Sequence, residues 1–301
     1  MKIGIAISCF KNDDDVIALV TKIVTQSWPV EAIIIVDSLG GGKIQEYLTS
    51  NKIKNTEYFN YDTNLGSAGN LKKRLMLSAE KDWDFVLALN HDALVTKITF
   101  LELIKYKDIP NLGAVYPLKY FPSKKFYDYS GTREVGPWRS FGEKSPSPDQ
   151  IIPCIWSSSN GALYNLTPVR EGIVPNEDLW MGWEDYLYGL DLKSSGYKQF
   201  LISNALCEDS YEFREKKLGF TKVVLASKPS WYTYYNTRNL FLICLFLHPG
   251  ILRTIRIFIR SLMEFTFICL GWSMSTIKQS LKLQLRGARD GFNKINGKKD
   301  L

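Results

Sequence analysis

Three apolar runs separated by helix-like segments set the strongest limit on how this 301-residue chain can fold. Residues 2–10 (KIGIAISCF), 31–36 (EAIIIV) and 84–90 (DFVLALN) are rich in the β-branched and apolar residues of buried strands. Strands that are apolar on both faces belong to parallel sheets covered by helices. At 45% hydrophobic residues, the chain can form a large core. We therefore predict an α/β fold with a largely parallel sheet.

Local signals place the elements between these runs. Asn12 and the acidic residues 13–15 offer an N-cap and a favourable first turn for a helix that runs to about Gln26. Gly196 is placed to end a later helix in the left-handed conformation. The other expected elements are a helix at 43–50, a strand at 56–61 and a helix at 70–81.

Polar segments follow the predicted strands at their carboxyl ends. Ser8 lies at the end of the first strand and Asp37 closes the second. The loop 62–70 (DTNLGSAGN) follows the third strand, and residues 90–92 (NHD) follow the fourth. Ligands of open α/β sheets bind outside this edge. The four segments together predict a binding site there.

The cysteines and the N-terminus indicate a cellular compartment. The five cysteines lie far apart and form no CxxC pair. Such spacing is typical of a reducing compartment, and it predicts neither a disulfide framework nor a zinc site. The first residues (MKIGIAISCF) enter a strand pattern directly, without the features of a signal peptide. We expect a cytoplasmic protein.

The net charge of +7 is concentrated near the C-terminus. From Arg238 to Leu301 there are 11 Lys/Arg against 3 Asp/Glu, a net +8, which leaves −1 for the preceding 237 residues. The basic tail is therefore a separate feature that needs its own explanation.

The tail is also strongly apolar. Residues 240–247 (LFLICLFL) are stopped by HPG, well short of the ~20 residues of a spanning helix. In the following helix, Arg253, Arg256 and Arg260 form one stripe among apolar residues, which is typical of a helix in a membrane interface. Each basic residue near anionic lipid contributes about 1 kcal/mol. Four more basic residues extend this face: Lys278, Lys282, Arg286 and Arg289.

Other partners would produce a similar pattern. An amphipathic helix packed on the rest of the chain or on a partner subunit would also carry one polar and one apolar face. Nucleic acid is not an expected partner, because so many exposed Phe, Ile and Leu residues would have no role on a duplex. We expect a membrane surface.

Glu184 and Asp185, in MGWEDYLYGL, form the second group of chemical interest. Carboxylates beside Trp180, Met181 and Trp183 are partly shielded from water, which suits a general base. The same two acids would also suit the first turn of a helix, where negative charge is favourable. The residues alone leave both interpretations open.

The order of these motifs resembles the inverting GT-A glycosyltransferases of family 2, such as bacterial rhamnosyl- and galactofuranosyl-transferase-like enzymes. The resemblance covers about residues 1–240. It implies a GT-A (Rossmann-like), mostly parallel sheet flanked by helices, followed here by C-terminal amphipathic helices. The motifs that carry it are IIIVDSLGGG, NLGSAGN, VLALNHDALV, SSSNGALYN, GWEDYLYGLDLKSSGYK and YYNTRN.

The resemblance implies a nucleotide-sugar donor at the carboxyl edge of the sheet. Asp37 would contact the base or the ribose, and the loop 64–69 would pack near the nucleotide, where glycine allows close approach. Residues 158–161 would line the pocket, unless they form a plain turn. The residues we assign to nucleotide-sugar binding are Ser8, Asp37, Asn64, Gly66, Gly69, Asn90, Asp92, Ser159, Gly161 and Trp183.

The family uses an Asp-x-Asp segment to hold a divalent cation, Mg²⁺ or Mn²⁺, which neutralises the departing diphosphate. This chain has Asn90-His91-Asp92 instead, so one carboxylate and one neutral amide oxygen remain. A His that often precedes the YYNTRN segment is replaced by CEDSYEF, which makes Glu208 a third candidate ligand. Asp92 is the expected metal ligand; binding of donor hydroxyls and a structural turn are the alternatives.

The resemblance also assigns the two acids. Asp185 matches the base that takes the proton of the acceptor hydroxyl, and Glu184 matches a residue that binds sugar hydroxyls. The galactofuranosyl enzymes show Trp-Asp-Asp-x-Glu with a later Arg, where this chain has Leu187 and Asp191. This difference leaves the donor sugar open. Arg238 in YYNTRN could bind a phosphate or another part of the chain.

We predict three regions: a nucleotide-sugar-binding half (1–95), an acceptor and catalytic half (96–237) and a basic membrane-associating tail (238–301). The expected reaction moves a sugar, with inversion, from a UDP-galactose, UDP-galactofuranose or dTDP-rhamnose type of donor. The acceptor would be a lipid-linked saccharide of bacterial O-antigen, capsule or other surface polysaccharide, at the inner face of the plasma membrane.

Two alternatives come from other functional classes. A catalytically silent sugar-nucleotide-binding or scaffold protein is favoured by the loss of the first acid at position 90. A nucleotidyltransferase would need a glycine- and lysine-rich loop after the first strand, where this chain has SCFKNDDD.

Overall fold

A computed structural model describes residues 1–132, 140–209, 213–218, 221–226, 228–271 and 277–301. The chain divides into two compact units. Of the described residues, the first unit takes in those up to 177 and residues 184–209. The second unit takes in residues 178–183 and the chain beyond Asp209.

Strands and helices alternate through the first half of the first unit. Its strands are β1 (Ile3–Cys9), β2 (Ile33–Ser38), β3 (Thr56–Tyr61), β4 (Phe85–Asn90), β5 (Leu112–Phe121), β6 (Phe126–Asp128), β7 (Phe141–Gly142), β8 (Ile151–Pro153), β9 (Ala162–Asn165) and β10 (Lys198–Glu208). Its helices are α1 (Asp13–Thr25), α2 (Lys43–Ser50), α3 (Gly66–Ala79), α4 (Lys97–Ile104), α5 (Thr167–Arg170) and α6 (Glu184–Ser194).

The strands form one sheet in the order β3-β2-β1-β4-β9-β5-β10-β8. β3, β2, β1 and β4 are all parallel, so their carboxyl ends lie at one edge. β9 runs antiparallel to β4, with Ala162 opposite Ala88 and Asn165 opposite Phe85. This reversal brings the loop before β9 to the edge where β4 ends. The prediction of an α/β fold with a mostly parallel sheet is confirmed.

Helices cover both faces of this sheet. Ile5 and Ile7 of β1 belong to one buried cluster, which includes Leu19 of α1. Ala6 faces the other way, into a cluster that includes Leu71 and Leu75 of α3. Burial on both faces explains why the strands read as continuous apolar runs rather than as alternating ones.

Most predicted elements lie within about two residues of the observed ones, the usual spread of element boundaries. The largest difference is α3, which begins at Gly66 rather than near residue 70, because the Oδ1 of Asn64 accepts from the Gly66 N–H and starts the helix early. Asn12 occupies the N-cap of α1 but makes no side-chain cap hydrogen bond. Gly196 has φ 86° and follows α6, as predicted.

The second unit contains a hairpin and the C-terminal helices. Its elements are β11 (Phe213–Leu218), β12 (Thr221–Ala226), α7 (Ser230–Leu242) with a π-helical turn Ile243–Leu247, α8 (Ile251–Cys269) and α9 (Ile277–Phe292). Gly287 and Gly291 let α9 approach α7 closely: a Cβ at Gly287 would lie 2.5 Å from the Tyr234 carbonyl oxygen, and one at Gly291 would lie 2.7 Å from the Phe241 Cβ.

α8 has an apolar outward face and a half-buried face that carries its charges. Ten positions of α8 are exposed, and none of them in this described helix holds a charged residue. Leu252 and Leu262 are each 66% exposed, whereas Arg253, Arg256 and Arg260 are half-buried. The sequence pattern identified the two faces; the structure turns the arginines toward the protein. None of the described helices combines the length and hydrophobicity needed to cross a bilayer.

Candidate active site at the carboxyl edge of the sheet

Side chains at the ends of β1 and β4 are joined by hydrogen bonds. The Ser8 hydroxyl donates to the Oδ1 of Asn90 at 3.1 Å, across the parallel β1–β4 pair. The Asn90 backbone N–H donates to the Oδ1 of Asn160 at 3.0 Å, and the Asn160 amide donates to the Oδ1 of Asp92 at 3.4 Å. The structure thus brings Ser8, Asn90 and Asp92 together through Asn160, which lies in the segment 158–161 but was given no role of its own by the sequence.

The loop before β9 is fitted closely to this edge. Gly161 has φ 94°, and a Cβ there would lie 2.9 Å from the Cγ of Pro117. Its N–H donates to the Ala88 carbonyl at 2.8 Å, and the Ser159 carbonyl accepts from the Ala162 N–H. Ser159 itself is buried. The loop is therefore a turn that supports the end of β4; the role predicted for it in lining a pocket stays a prediction.

Asp37 is completely buried at the end of β2. Its Oδ2 accepts from the Tyr58 hydroxyl at 2.8 Å, and burial beside this carboxylate raises the pKa of Tyr58. No donor among the described residues reaches the Oδ1 of Asp37. A buried oxygen that lacks a partner is costly, by roughly 1–3 kcal/mol. Asp37 therefore keeps one buried acceptor oxygen without a described donor.

The glycine-rich segment after β2 packs against this carboxylate. A Cβ at Gly40 would lie 2.1 Å from the Oδ2 of Asp37 and 2.5 Å from the Tyr58 hydroxyl, so only glycine fits. The Asn60 side chain accepts from the Gly40 N–H and donates to the Gly40 carbonyl, each at 3.1 Å. Tyr58 and Asn60 are two residues apart on β3, so their side chains lie on the same face of the strand. This period-2 pattern is the sequence signal that would have identified both residues.

Cys9, Asp13 and Asp37 are the only group of three acidic, Cys or His side chains among the described residues with ligand atoms close enough to share a metal ion, within 4.8 Å of one another. Burial raises the pKa of the Cys9 thiol to about 12, and the thiol lies 3.6 Å from an Asp13 oxygen. Metal binding requires the thiolate, so an ion at this position would have to displace the thiol proton. We do not assign a metal to this group.

The start of α3 is tied to the same edge. The Oδ1 of Asn64 accepts from the N–H of Gly66, where the chain takes the left-handed φ of 66°. Asn70 is buried and donates to the Val36 carbonyl at 3.0 Å, directly before Asp37. A Cβ at Gly69 would lie 3.3 Å from the Leu65 Cβ, which is tight. The loop 64–69 is thereby fixed beside the end of β2.

Arg74, on α3, is a buried cation beneath the strand ends. Its Nη1 donates to the Leu89 carbonyl at 2.9 Å and more weakly to the Ala6 carbonyl at 3.4 Å. Burial lowers the pKa of Arg74 to about 10, against the attraction of Tyr164, Asp185 and Glu184. The sequence analysis missed Arg74, although its spacing from Leu71 and Leu75 would have placed it on the buried face of α3.

Glu184 and Asp185 are the first two residues of α6. Glu184 is buried and Asp185 is half-buried. The positive end of the helix dipole and the nearby charge of Arg74 both favour a negative charge at this position. The capping interpretation and the catalytic one are therefore compatible, since a general base must be a carboxylate before it accepts a proton.

Within the second unit, side chains of α7 hold the segment that precedes these acids. The Asn239 amide donates to the carbonyls of Leu179, Met181 and Gly182 at 3.0, 2.9 and 2.7 Å. The Nη2 of Arg238 donates to the same Leu179 carbonyl at 2.7 Å. Arg238 is fully buried, so its contacts are those of a structural residue.

Glu208 ends β10 on its exposed side, and the structure shows it in no group of potential metal ligands among the described residues. The adjacent Asp209 pairs with the buried Lys119 at 2.9 Å. Trp183 lies in the second unit, where its indole N–H donates to Asn236. The roles predicted for Glu208 and Trp183 stay predictions.

Neither protein-family models nor curated proteins match this chain. Solved structures do match it. S. aureus TarS 1-349 in complex with UDP-GlcNAc matches with a TM-score of 0.61 and 15% identity, over 98% of this chain and 82% of that one. The mannosyltransferase PcManGT from Pyrobaculum calidifontis, in complex with GDP-Man and Mn²⁺, matches with a TM-score of 0.59 and 12% identity, over 96% and 80%.

More distant likenesses cover smaller parts of the chains compared. GalNAc-T7 with UDP, GalNAc and Mn²⁺ matches with a TM-score of 0.54 and 10% identity, over 70% of this chain and 44% of that one. The chain spans 60% of another structure of TarS 1-349. Sequence identities this low establish a common architecture and nothing finer. The chain has the α/β fold of the GT-A glycosyltransferases.

Proposed function

We propose that this protein is an inverting glycosyltransferase that uses a nucleotide-sugar donor. One observation carries the proposal: Arg74 donates to the Leu89 carbonyl, at the end of the strand that leads to Asn90 and Asp92, and its charge also acts on Asp185 and Glu184. The backbone at the end of β4 and the two carboxylates at the start of α6 therefore share one buried cation. The fold common to nucleotide-sugar enzymes supports the same conclusion by analogy.

Asp37 provides the basis for nucleotide recognition. Its buried Oδ1 can accept a hydrogen bond from a ring N–H such as that of uracil, thymine or guanine. Such an acceptor suits UDP- or dTDP-linked donors, among them the galactose, galactofuranose and rhamnose types, and it suits a GDP-linked donor equally.

The divalent cation expected for this fold would be held by Asp92 and Asn90. Asp92 is exposed, and its only described contact with Asn160 is long, so its oxygens remain accessible. Carboxylate and amide oxygens are the hard ligands that Mg²⁺ or Mn²⁺ takes, with donor phosphates completing the shell. When bound, the cation would neutralise charge on the leaving diphosphate.

The chemistry assigned to this chain's own residues is proton transfer. Asp185 would take the proton of the acceptor hydroxyl as that oxygen attacks the anomeric carbon and the nucleoside diphosphate departs. Glu184, buried beside it, would accept hydrogen bonds from sugar hydroxyls. A silent binding protein would need no such base, which separates the two hypotheses experimentally.

We also propose a lipid-linked saccharide acceptor, of the kind used for bacterial O-antigen, capsule or other surface polysaccharide, at the inner face of the plasma membrane. The outward apolar face of α8 supports this, together with the exposed basic residues Lys278, Lys282 and Arg289 of α9. An apolar face with cationic neighbours suits an anionic lipid surface.

Asp37→Asn should weaken UDP binding by about 10- to 100-fold, the equivalent of a lost hydrogen bond to a charged group. In this variant the side-chain oxygen can still accept from the Tyr58 hydroxyl. The side-chain NH2 group would then face the N–H of the base, and two donors do not form a hydrogen bond with each other. Calorimetry of UDP binding checks this, with Asp108→Asn, an exposed acid after α4, as the matched control. Equal UDP affinity in both variants would remove Asp37 from the base site.

Asp185→Asn should leave nucleotide binding near normal and reduce turnover by a factor of ~10² or more, the usual contribution of a general base. The measurement is nucleotide release with UDP-, dTDP- and GDP-sugars in the presence of acceptor. Asp191→Asn, on the same helix, is the control and should retain activity. If Asp185→Asn keeps full turnover, Glu184 becomes the candidate base.

Metal should bind only together with the nucleotide, because one carboxylate and one amide offer too few ligands alone. Excess EDTA and Asp92→Ala should therefore each abolish transfer, while His91→Ala should be milder. Activity and UDP affinity, measured with and without EDTA, check this. Unchanged values in EDTA would mean that Asp92 binds donor hydroxyls or acts structurally, without a cation.

The intact protein should bind vesicles that contain an anionic lipid, and added salt should weaken the binding by screening the basic residues. Replacing Leu252 and Leu262 together by Glu should abolish it, since both side chains are 66% exposed on the outward face of α8. Ile98→Glu, at a 72% exposed position of α4, is the matched control. Vesicle sedimentation measures binding; equal binding by both proteins would exclude α8 as the membrane contact.

A further inference from the structure

The segment before the two acids has an unusual backbone. Trp180, Gly182 and Trp183 all adopt left-handed conformations, with φ of 54°, 84° and 67°. For a bulky residue this conformation costs of order 1–3 kcal/mol and persists only where the surroundings impose it. Trp183 is joined by one peptide bond to Glu184, the first residue of α6.

A short chain of polar contacts fixes Trp183 within the second unit. Its indole N–H donates to the Oδ1 of Asn236 at 2.7 Å. The Asn236 amide donates to both carboxylate oxygens of Glu264, at 3.2 and 2.9 Å. The guanidinium of Arg260 lies 4.7 Å from the centre of the Trp183 ring, a cation–π distance.

Arg260 and Glu264 lie on α8, one helical turn apart, on its half-buried side. The opposite side of the same helix is the outward apolar face, with Leu252, Ile255 and Leu262 among its residues. One helix therefore contacts Trp183 with one face and presents apolar surface with the other. Contiguous exposed apolar surface marks an interaction site.

We propose that Asn236 and Glu264 are positioning residues for the Glu184-Asp185 segment, and that lipid bound to the outward face of α8 strengthens their hold on Trp183. The proposal rests on the proposed function for its catalytic consequence. Lipid is the occupant because the tail carries a net charge of +8 and the exposed side of α9 adds Lys278, Lys282 and Arg289. Binding would restrict α8, and the Glu264–Asn236–Trp183 contacts would pass that restriction to the start of α6.

The first test uses hydrogen exchange of the full-length protein, with and without vesicles of phosphatidylcholine and phosphatidylglycerol. We expect vesicles to slow exchange of the amides from Met181 to Tyr186 by at least about tenfold, because bound lipid reduces local opening. Glu264→Ala should bind the vesicles normally but lose this protection. Glu264→Gln can still accept from Asn236 and should retain it.

Two controls separate positioning from general loss of structure. Replacing Leu252 and Leu262 together by Glu should remove vesicle binding and the added protection together, while the exchange pattern without lipid stays that of the parent protein. Ile98→Glu should change neither. If Glu264→Ala does not fold, Asn236→Ala interrupts the same contacts from α7 and must show the same loss.

The second test measures turnover with vesicles present. Lipid should raise kcat about tenfold or more with the donor KM unchanged, the scale on which misplacement of a catalytic group acts. Glu264→Ala should lose the lipid effect on kcat, and Glu264→Gln should keep it. Lipid stimulation and lipid protection that both survive in folded Glu264→Ala would overturn the proposal.

The two proposals fail in different ways. If vesicles protect residues 181–186 through Glu264 but no sugar is transferred from any donor, the glycosyltransferase proposal is wrong and the coupling stands. If sugar is transferred at a rate and with an exchange pattern that vesicles do not change, the coupling is wrong and the transfer proposal stands.

Discussion

The buried guanidinium of Arg74 is the interaction on which the candidate site depends. A cation removed from water costs several kcal/mol unless anions and carbonyl dipoles surround it. Here the Leu89 and Ala6 carbonyls bind it directly, and Glu184 and Asp185 attract it. The charge thereby ties the middle of β1 and the end of β4 to the start of α6. A neutral side chain at this position would leave the acids of α6 without their buried counter-charge, so the geometry of the edge and its electrostatics are set together.

Near this cation, the carboxyl edge of the sheet carries acidic side chains with oxygen atoms that have few described partners. Asp37 has one oxygen committed to Tyr58 and one with no described donor, and Gly40 closes over it. Asp92 makes only one long contact, with Asn160. The buried Asp37 oxygen without a donor destabilises the folded protein unless a ligand binds, whereas Asp92 is exposed to water. Beside them, Asn60 and Asn70 are bonded to the backbone, at Gly40 and at the Val36 carbonyl. Side chains fixed to the backbone beside acids with few described contacts are what a preorganised binding site needs.

The fold was predictable because its signals are local and repeated. Each apolar run and each turn residue predicts the same alternation of strand and helix. The bounds of α2 and the left-handed conformation of Gly196 agree with that prediction. Placing Asp37 and Asp92 at one edge needed only the rule that parallel strands end together. Asn160 and Arg74 could not be assigned in this way, because their roles depend on β9 running antiparallel and on the contacts of a buried helix face. A short window of sequence does not specify which distant strands pair. For the same reason the functions of Asp92, Asp185 and Glu208 stay predictions: their residue types are suggestive, but chemistry depends on a ligand.

The helix α8 shows a different limit of sequence analysis. Periodicity establishes that a helix has a polar stripe and an apolar stripe, but it does not say which stripe faces the protein. The usual assumption turns charges outward, yet Arg260 and Glu264 face inward because Trp183 and Asn236 offer them an aromatic ring and an amide. With those partners present, the charged side of α8 faces the protein and the apolar side is left outside. Apolar area that stays exposed forgoes about 25 cal/mol per Å² that burial would contribute, so a partner that covered this face would stabilise the protein. The contacts of one face of α8 with the segment before Glu184 thus leave the opposite, apolar face open to a partner.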